Sequence, residues 1–373
     1  MQLSATYPAH GGQLRQIAEM FGIAQSRLID FSANINPDGP PAAVVSALRA
    51  CLDDPRTLTE YPDMEQADLK ESIASYAGIA TQNIAVANGF VPLLEAALRT
   101  LPIRRCLLPV PAFAEYRRTL ERANIEIVPH VLSTESCFRY DLEAMVAGQH
   151  DAILLANPQN PSGVSHDAGA IRSIVTEAAK RNIYVLLDEA FIDYLPEHSL
   201  TTATDDFANL IVFRSVKKFH GMPGLRAAYA VAHPTLCSAV SANLSPWPIT
   251  TLASCAVSAA LNDRPYAARV RAENLTHKLS LHRDLDRLEL ACYPGAANFI
   301  LFRLPSSIDP DAFWRHMIVE HHIVLRPCAN FEALSHGHFR AAIRTPQEND
   351  RLAAAIAESL SHDQYSRPPH VRR

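Results

Sequence analysis

The chain has 373 residues, of which 48% are hydrophobic and 20% are charged, and its formal net charge at pH 7 is −5. This composition is typical of a globular protein with a large core, and roughly 150 residues per domain predicts two domains. The slightly acidic balance gives no reason to expect nucleic acid or an anionic membrane as a partner, so a small molecule is the expected ligand.

The positions of the cysteines and histidines indicate the compartment of the protein and whether it binds a metal. The seven cysteines are scattered without a C-x-x-C pair, which predicts reduced thiols in a cytoplasmic protein rather than a disulfide framework. No signal peptide is recognisable, and no stretch approaches the roughly 18 apolar residues that a membrane span needs. The pair His321-His322 and the segment His336-x-His338 have no partner at ligand spacing, so no metal site is predicted.

Between residues 80 and 235, short apolar segments alternate with longer segments rich in Ala, Leu and Glu. This alternation predicts an α/β fold with a doubly wound, mostly parallel sheet in a large domain. The predicted strands are residues 84–87, 106–110, 152–156, 183–187, 210–213 and 227–231, with helices at 91–100, 114–122 and 168–180. In such a sheet, functional groups lie at the carboxyl ends of the strands.

The segment Pro246-Trp247-Pro248 interrupts the alternation and precedes a long helical region at 251–290, which we interpret as the crossing into a smaller α+β domain. Strands at 298–303, 323–326 and 339–343 and helices near 310–320 and 347–360 follow. The predicted organisation is an N-terminal arm with part of the small domain at 1–40, a large domain at 41–245, a small domain at 246–362 and a disordered tail at 363–373.

A lysine follows the strand at 210–213 in the pattern Ser215-x-x-Lys218, and Arg226 comes eight residues later. The amine can form an imine with an aldehyde cofactor, and the hydroxyl and the guanidinium can hold a phosphate. This pattern is typical of pyridoxal-phosphate enzymes, although a basic loop at the end of a strand could look the same. The adjacent Lys217 is expected to be solvated, because neighbouring side chains point apart on an extended backbone.

Two further polar residues follow predicted strands. Asp188 ends the strand at 183–187 and could keep a pyridinium nitrogen protonated, or it could cap a helix. Asn160, in Asn160-Pro161-Ser162-Gly163, could hydrogen-bond the ring oxygen of a cofactor, or the segment could be a simple turn.

Two segments of the first half of the chain could complete a cofactor site. Asn88-Gly89-Phe90 opens a helix, whose free amides can receive a phosphate. Pro92 removes one donor but is tolerated in a first turn. Phe113 could stack on a pyridine ring or could belong to the core.

The order of these segments resembles that of the class I/II, fold-type-I aminotransferase superfamily over nearly the whole chain. A narrower likeness is to the threonine-phosphate decarboxylases of cobalamin biosynthesis, which are related to the histidinol-phosphate aminotransferases. The segments that carry it are His10-Gly11-Gly12, Asp30-Phe31-Ser32-Ala33-Asn34-Ile35-Asn36-Pro37, Tyr61-Pro62-Asp63, Phe113-Ala114-Glu115-Tyr116, Asp188-Glu189-Ala190-Phe191-Ile192-Asp193-Tyr194, Pro223-Gly224-Leu225-Arg226, Arg326-x-Cys328-Ala329-Asn330 and Arg340-Ala341-Ala342-Ile343-Arg344.

The resemblance implies pyridoxal 5'-phosphate as cofactor, bound through an imine to Lys218, with Asp188 on the ring nitrogen and Asn160 on the ring oxygen. Implied cofactor-binding residues are Tyr61 (from the other subunit of a homodimer with shared active sites), Gly89, Phe90, Phe113, Asn160, Asp188, Ser215, Lys218 and Arg226. Implied substrate-binding residues are Arg340 for a carboxylate, and His10, Asn34 and Arg326 on the side of a phosphate. A substrate with two anionic groups does need two cationic subsites.

The implied reaction is decarboxylation of L-threonine O-3-phosphate to (R)-1-amino-2-propanol O-2-phosphate. Phe191 matches the decarboxylase pattern, whereas aminotransferases of this group have tyrosine there. Phe90-Val91-Pro92 departs from the family, which usually has polar residues after N-G. The alternatives are a histidinol-phosphate or other phospho-amino-acid aminotransferase, and a binding protein without catalytic activity.

Overall fold

The computed structural model describes residues 7–361. The predicted tail at 363–373 and the first six residues of the predicted N-terminal arm lie outside the described residues. The strands are β1 (Ile29–Asp30), β2 (Ile84–Ala87), β3 (Arg105–Val110), β4 (Glu126–Val131), β5 (Ala152–Ala156), β6 (Tyr184–Asp188), β7 (Leu210–Ser215), β8 (Ala228–Ala232), β9 (Ala291–Cys292), β10 (Phe299–Arg303), β11 (Ile323–Val324), β12 (Arg326–Pro327) and β13 (His338–Ala342).

The α-helices lie between these strands and around them. They are α1 (Leu14–Phe21), α2 (Ala42–Asp53), α3 (Arg56–Thr59), α4 (Ala67–Ala77), α5 (Phe90–Thr100), α6 (Ala114–Arg122), α7 (Leu142–Ala147), α8 (Ala168–Lys180), α9 (Val216–Phe219), α10 (Pro234–Ala242), α11 (Thr251–Asn262), α12 (Arg264–Arg287), α13 (Pro310–Val319) and α14 (Pro346–Ser361). In this described part of the chain, no helix combines the length and the apolar character needed to cross a membrane.

The larger sheet has seven strands in the order β2-β8-β7-β6-β5-β3-β4. The strands from β7 to β4 run parallel to one another, whereas β8 is antiparallel to both β2 and β7. β5, β7 and β8 are buried along their whole length, as expected for a sheet that is covered on both faces. The predicted α/β fold with a mostly parallel sheet is confirmed.

Most predicted elements of this sheet agree with the structure within one or two residues, but β4 was not predicted. It is an edge strand whose residues are half-buried or exposed, and Pro129 interrupts its apolar alternation. An edge strand buries little and tolerates proline, so its sequence signal is weak.

The helical region predicted at 251–290 is two helices rather than one. Asp263 ends α11, and its side chain accepts a hydrogen bond from the Tyr266 amide in the first turn of α12, where a proline also lies. α11 packs against α2 and α4 and contributes to their apolar cluster. The domain division at residue 246 stays a prediction.

A second sheet has the order β12-β13-β10-β9 with antiparallel neighbours, and β11 instead pairs with β1. The strand predicted at 323–326 is therefore two short strands in two sheets. The core beside them contains Trp314, Phe302, Phe313 and Phe339. In this sheet Arg326 of β12 lies directly opposite Arg340 of β13. Two arginine side chains therefore start from paired positions on neighbouring strands.

Candidate cofactor and substrate site

A cavity of about 480 Å³ lies at the carboxyl ends of β5, β6 and β7 and is also lined by residues of β12 and β13. Most of the site residues predicted from the sequence line it. They are His10, Asn34, Phe90, Phe113, Asn160, Asp188, Ser215, Lys218, Arg226, Arg326 and Arg340. Gly89 and Tyr61 are not among the lining residues.

Lys218 lies on the single turn of α9, which follows β7 directly. Its Nζ is 3.8 Å from the centre of the Phe191 ring. Burial lowers the pKa of Lys218 to about 7; Asp188 opposes this shift, and the charges of Lys217 and Arg340 add to it. An amine with this pKa is about half neutral at neutral pH, which is the form that attacks an aldehyde.

Asp188 is fixed by two hydrogen bonds at the end of β6. Its Oδ1 accepts from the Ala190 amide at 2.9 Å, and its Oδ2 accepts from the Tyr116 hydroxyl at 2.5 Å. Burial raises the pKa of Asp188, whereas Lys218 and the two hydrogen bonds oppose this rise. The carboxylate is thus held in place where it can face a pyridinium nitrogen, and no α-helix begins at this residue.

Tyr116 is a site residue that the sequence interpretation did not single out. It lines the cavity, and on α6 it lies three residues after Phe113, whose ring is 5.6 Å away in an edge-on arrangement. The signal available in the sequence was this i, i+3 spacing, which places both rings on one face of a helix.

Gly89, Arg226 and Ser215 form one end of the site. Gly89 caps α5 with φ 110°, and a Cβ at this position would lie 3.0 Å from Nη2 of Arg226. The Ser215 hydroxyl is buried and has no hydrogen-bond partner among residues 7–361. A buried hydroxyl is normally satisfied, and a helix N-terminus beside a guanidinium attracts anions. This end therefore fits the phosphate of the predicted cofactor.

Arg340 of β13 forms another part of the cavity lining. Its Nη1 donates to Oδ1 of Asn160, and its Nη2 donates to the Ser32 carbonyl at 3.2 Å. Its Nε is buried with no partner in the described part of the chain. Burial lowers the pKa of Arg340 to about 10. Because the Asn160 carbonyl oxygen accepts from Arg340, the NH₂ group is the part of this amide that could donate to a cofactor oxygen, as the sequence predicts.

Arg326 forms four hydrogen bonds within the chain, which the sequence did not predict. Its terminal nitrogens donate to the carbonyls of Pro8, Ala9 and Pro327 and to Oδ1 of Asn330, at 2.8–3.1 Å. These acceptors are neutral, so the charge of Arg326 is not compensated, and burial lowers its pKa. Arg326 also lines the cavity, and a substrate phosphate that bonded to its terminal nitrogens would replace some of these carbonyls.

The N-terminal arm also lines the cavity. The Gly12 amide donates to the Ser32 hydroxyl at 2.9 Å, and a Cβ on Gly11 would lie 2.1 Å from the Ser32 carbonyl oxygen. Only glycine fits at that position. The approach brings His10 into the site, where its Nε2 is 3.2 Å from a Glu115 oxygen. Asn34 lines the same region, and its Oδ1 is buried without a partner within residues 7–361.

Tyr61 was predicted to act from the other subunit of a dimer, which stays a prediction, whereas Lys217 lies elsewhere than expected. Tyr61 is 78% exposed and stacks on Trp247, with ring centres 4.3 Å apart, so it does not reach the cavity within one chain. Lys217 was expected to be solvated, and this expectation is wrong because Lys217 lines the cavity. Residues 216–219 form a helical turn, on which neighbouring side chains diverge by only roughly 100°.

The family described as "Aminotransferase class I and II" matches residues 26–356. The threonine-phosphate decarboxylase of Salmonella typhimurium is 32% identical over 95% of this chain and 97% of its own length. The histidinol-phosphate aminotransferase 2 of Ralstonia nicotianae is 29% identical over 94% of each chain. The histidinol-phosphate aminotransferase from Clostridium acetobutylicum superposes with a TM-score of 0.83 at 25% identity, covering 89% of this chain and 98% of that one.

Proposed function

The chain belongs to the class I and II aminotransferase family of pyridoxal-phosphate enzymes, and we propose that it decarboxylates L-threonine O-3-phosphate to (R)-1-amino-2-propanol O-2-phosphate. The observation that carries the proposal is the pair Arg326 and Arg340. Both are buried, they lie opposite each other on β12 and β13, and neither forms an ion pair within residues 7–361. Like charges placed opposite each other are unfavourable unless an anion lies between or beside them.

This arginine pair favours a substrate with two anionic groups. L-Threonine O-3-phosphate has a carboxylate and a phosphate, whereas histidinol phosphate has a phosphate and no carboxylate. The second substrate of an aminotransferase, 2-oxoglutarate, has two carboxylates and also fits the pair, so the choice of the decarboxylase rests in addition on the 32% identity to the threonine-phosphate decarboxylase of Salmonella typhimurium. We assign the carboxylate to Arg340, because its Nε is still available for a bond. The phosphate then falls to the side of Arg326, with His10 and Asn34 as additional polar groups.

The bound cofactor supplies an electron-accepting ring, which stabilises the electron pair that carbon dioxide leaves behind on the α-carbon. Asp188 holds a proton on the ring nitrogen, and its hydrogen bond from Tyr116 fixes the carboxylate in place. Lys218, with a pKa near 7, can deliver a proton to the α-carbon after carbon dioxide has left. The face of the Phe191 ring lies against this amine and covers one side of it.

An aminotransferase is the second candidate, favoured by the 29% identity to the histidinol-phosphate aminotransferase 2 of Ralstonia nicotianae. The same Lys218 and Asp188 would serve that reaction, in which the Cα–H bond breaks instead of the Cα–carboxylate bond. Because about 1.4 kcal/mol is a tenfold change in rate, one repositioned contact of Arg340 can select between the two bonds.

The two candidates are separated by incubating the purified protein with L-threonine O-3-phosphate and measuring carbon dioxide. Release without any keto acid supports the decarboxylase. Strict dependence on 2-oxoglutarate, or turnover of histidinol phosphate in preference, would refute it. L-Threonine without the phosphate is the matched substrate control, and Lys218→Ala is the matched protein control.

We further propose a cytoplasmic homodimer in which Tyr61 of each subunit reaches the cofactor phosphate of the other. The cytoplasmic location is supported by the seven cysteines, which are all free. The dimer is supported by the stacked pair Tyr61 and Trp247, which is exposed and could contact a second subunit. Light scattering measures the dimer, and loss of cofactor affinity in Tyr61→Phe checks the shared site. A monomer in solution with full activity would contradict the shared site.

A further inference from the structure

The phosphate end of the cavity has few donors on the α5 side. Phe90 and Val91 line the cavity with apolar side chains, and Pro92 has no N–H group. Within one chain, Ser215 and Arg226 therefore remain as side-chain donors among the residues identified above, and Tyr61 of the other subunit would add a neutral hydroxyl. A phosphate monoester has a charge of about −1.5 to −2 at neutral pH, so one guanidinium leaves part of that charge uncompensated.

Lys217 is a further cation in the lining of this cavity. It follows Ser215 by two residues, on the helical turn that begins at the end of β7. No carboxylate within residues 7–361 forms an ion pair with it. Lys217 is half-buried, and an amine in such a place becomes more favourable when an anion joins it.

The two adjacent lysines face different charged neighbours. The strongest charge interaction of Lys217 is with Arg226, and Asp188 is weaker. Lys218 instead interacts with Asp188 first and then with Lys217 and Arg340, and its amine is 3.8 Å from the centre of the Phe191 ring. Lys218 is thus engaged on the ring and substrate side, and Lys217 is the cavity lysine that remains for the phosphate side.

We propose that Lys217 supplies the second positive charge of the cofactor-phosphate subsite, beside Arg226 and Ser215, and so replaces the polar donors that Phe90-Val91-Pro92 lack. The inference rests on the proposed function, because it requires a phosphorylated cofactor in this cavity. Lys217 is then a cofactor-binding residue that takes no part in covalent attachment.

The test compares Lys217→Met, which keeps the length of the side chain, with Lys217→Arg, which keeps the charge. The matched control is Lys278→Met, since burial also lowers the pKa of Lys278 to about 8 but Lys278 does not line the cavity. Each protein is freed of cofactor and titrated with pyridoxal 5'-phosphate and, separately, with pyridoxal, which lacks the phosphate. Binding is followed by absorbance and by the rise in melting temperature.

We expect Lys217→Met to weaken pyridoxal 5'-phosphate binding about tenfold or more, which equals about 1.4 kcal/mol, and to leave pyridoxal binding unchanged. Lys217→Arg should retain most of the affinity, and Lys278→Met should retain all of it. The inference would be overturned if Lys217→Met bound pyridoxal 5'-phosphate and pyridoxal with the same ratio of affinities as the unmodified protein, which includes an equal loss for both ligands. Trapping of the cofactor on Lys217 would also overturn it. If the unmodified protein bound neither ligand, the proposed function itself would fail, which is a distinguishable result.

Discussion

Two groups of charged residues lie near the ends of β6 and β7. In the buried paired cluster, Arg214 is 2.5 Å from an Asp193 oxygen and 3.6 Å from a Glu189 oxygen. The cavity cations have no such counterions within residues 7–361; Arg326 and Arg340 are buried, Lys217 and Lys218 are half-buried, and Arg226 is exposed. Asp188 and Glu115 are the carboxylates among the residues lining that cavity.

At the ends of β6 and β7, consecutive residues belong to different groups. Asp188 lines the cavity and Glu189 joins the paired cluster, while Arg214 joins the cluster and Ser215 lines the cavity. Side chains alternate between the two sides of a strand, so consecutive residues are separated in this way. We infer that a buried charge with its own counterion stabilises the fold, whereas a cavity-lining charge without one marks where a ligand's charge belongs.

The largest expected effect is on the free energy of unfolding, which should depend on the paired cluster and much less on the cavity cations. Arg214→Met should lower the free energy of unfolding by about 3–5 kcal/mol, because it leaves Asp193 and Glu189 buried without their partner. Lys218→Met in the cofactor-free protein should lower the free energy of unfolding much less, because Lys218 forms no ion pair within residues 7–361 and loses only its longer-range attraction to Asp188. Urea unfolding of the two variants measures both effects, and equal destabilisation would remove the distinction.

The next effect is on substrate binding. Arg340→Met should lower kcat/KM for L-threonine O-3-phosphate roughly tenfold to a hundredfold, since a hydrogen bond to a charged group contributes about 1.5–3 kcal/mol. Arg344→Met is the control, because Arg344 pairs with Glu348 and does not line the cavity. A similar loss in both variants would mean that Arg340 has no special role.

A smaller effect is expected for the hydroxyl that fixes Asp188. Tyr116→Phe removes the 2.5 Å hydrogen bond to this carboxylate, so kcat should fall about tenfold, in line with about 1.5 kcal/mol for one bond. Tyr140→Phe is the matched control, because its buried hydroxyl bonds to the Ala156 carbonyl instead. Steady-state kinetics measures both, and unchanged kcat in Tyr116→Phe would exclude the positioning role.

The smallest effect is a shift in pH dependence. Only the neutral amine of Lys218 attacks an aldehyde, so cofactor attachment to the cofactor-free protein should accelerate as the pH rises through about 7 and then level off. The Asp188 carboxylate raises the pKa of Lys218, against the lowering charges of Lys217 and Arg340. Asp188→Asn should therefore move the midpoint to lower pH. Stopped-flow absorbance measures it, and a midpoint near 10 would contradict the burial of this amine.

Much of the fold was predictable because buried strands and amphipathic helices leave strong local patterns. β2, β5, α6 and α8 begin and end at the predicted residues. The edge strand β4 and the break at Asp263 have weaker patterns and were missed. In the first case little apolar surface is buried, and in the second a single capping residue divides a continuous helical sequence.

The site was predictable as a set of residues but not as a set of contacts. Residues such as Lys218 and Asp188 follow strands whose ends meet in a parallel sheet. The hydrogen bond between Tyr116 and Asp188 joins positions 72 residues apart, and the Arg326–Arg340 register depends on strand pairing. Lys217 was misplaced because an extended backbone was assumed where the chain turns helical.

The central claim is that the cavity binds pyridoxal 5'-phosphate through Lys218, and borohydride reduction followed by peptide mass spectrometry tests it most directly. The unmodified protein and Lys217→Ala should gain the mass of the reduced cofactor on the peptide containing residue 218, and Lys218→Ala should gain none. A label on Lys217, or no label in the presence of excess cofactor, would contradict the account.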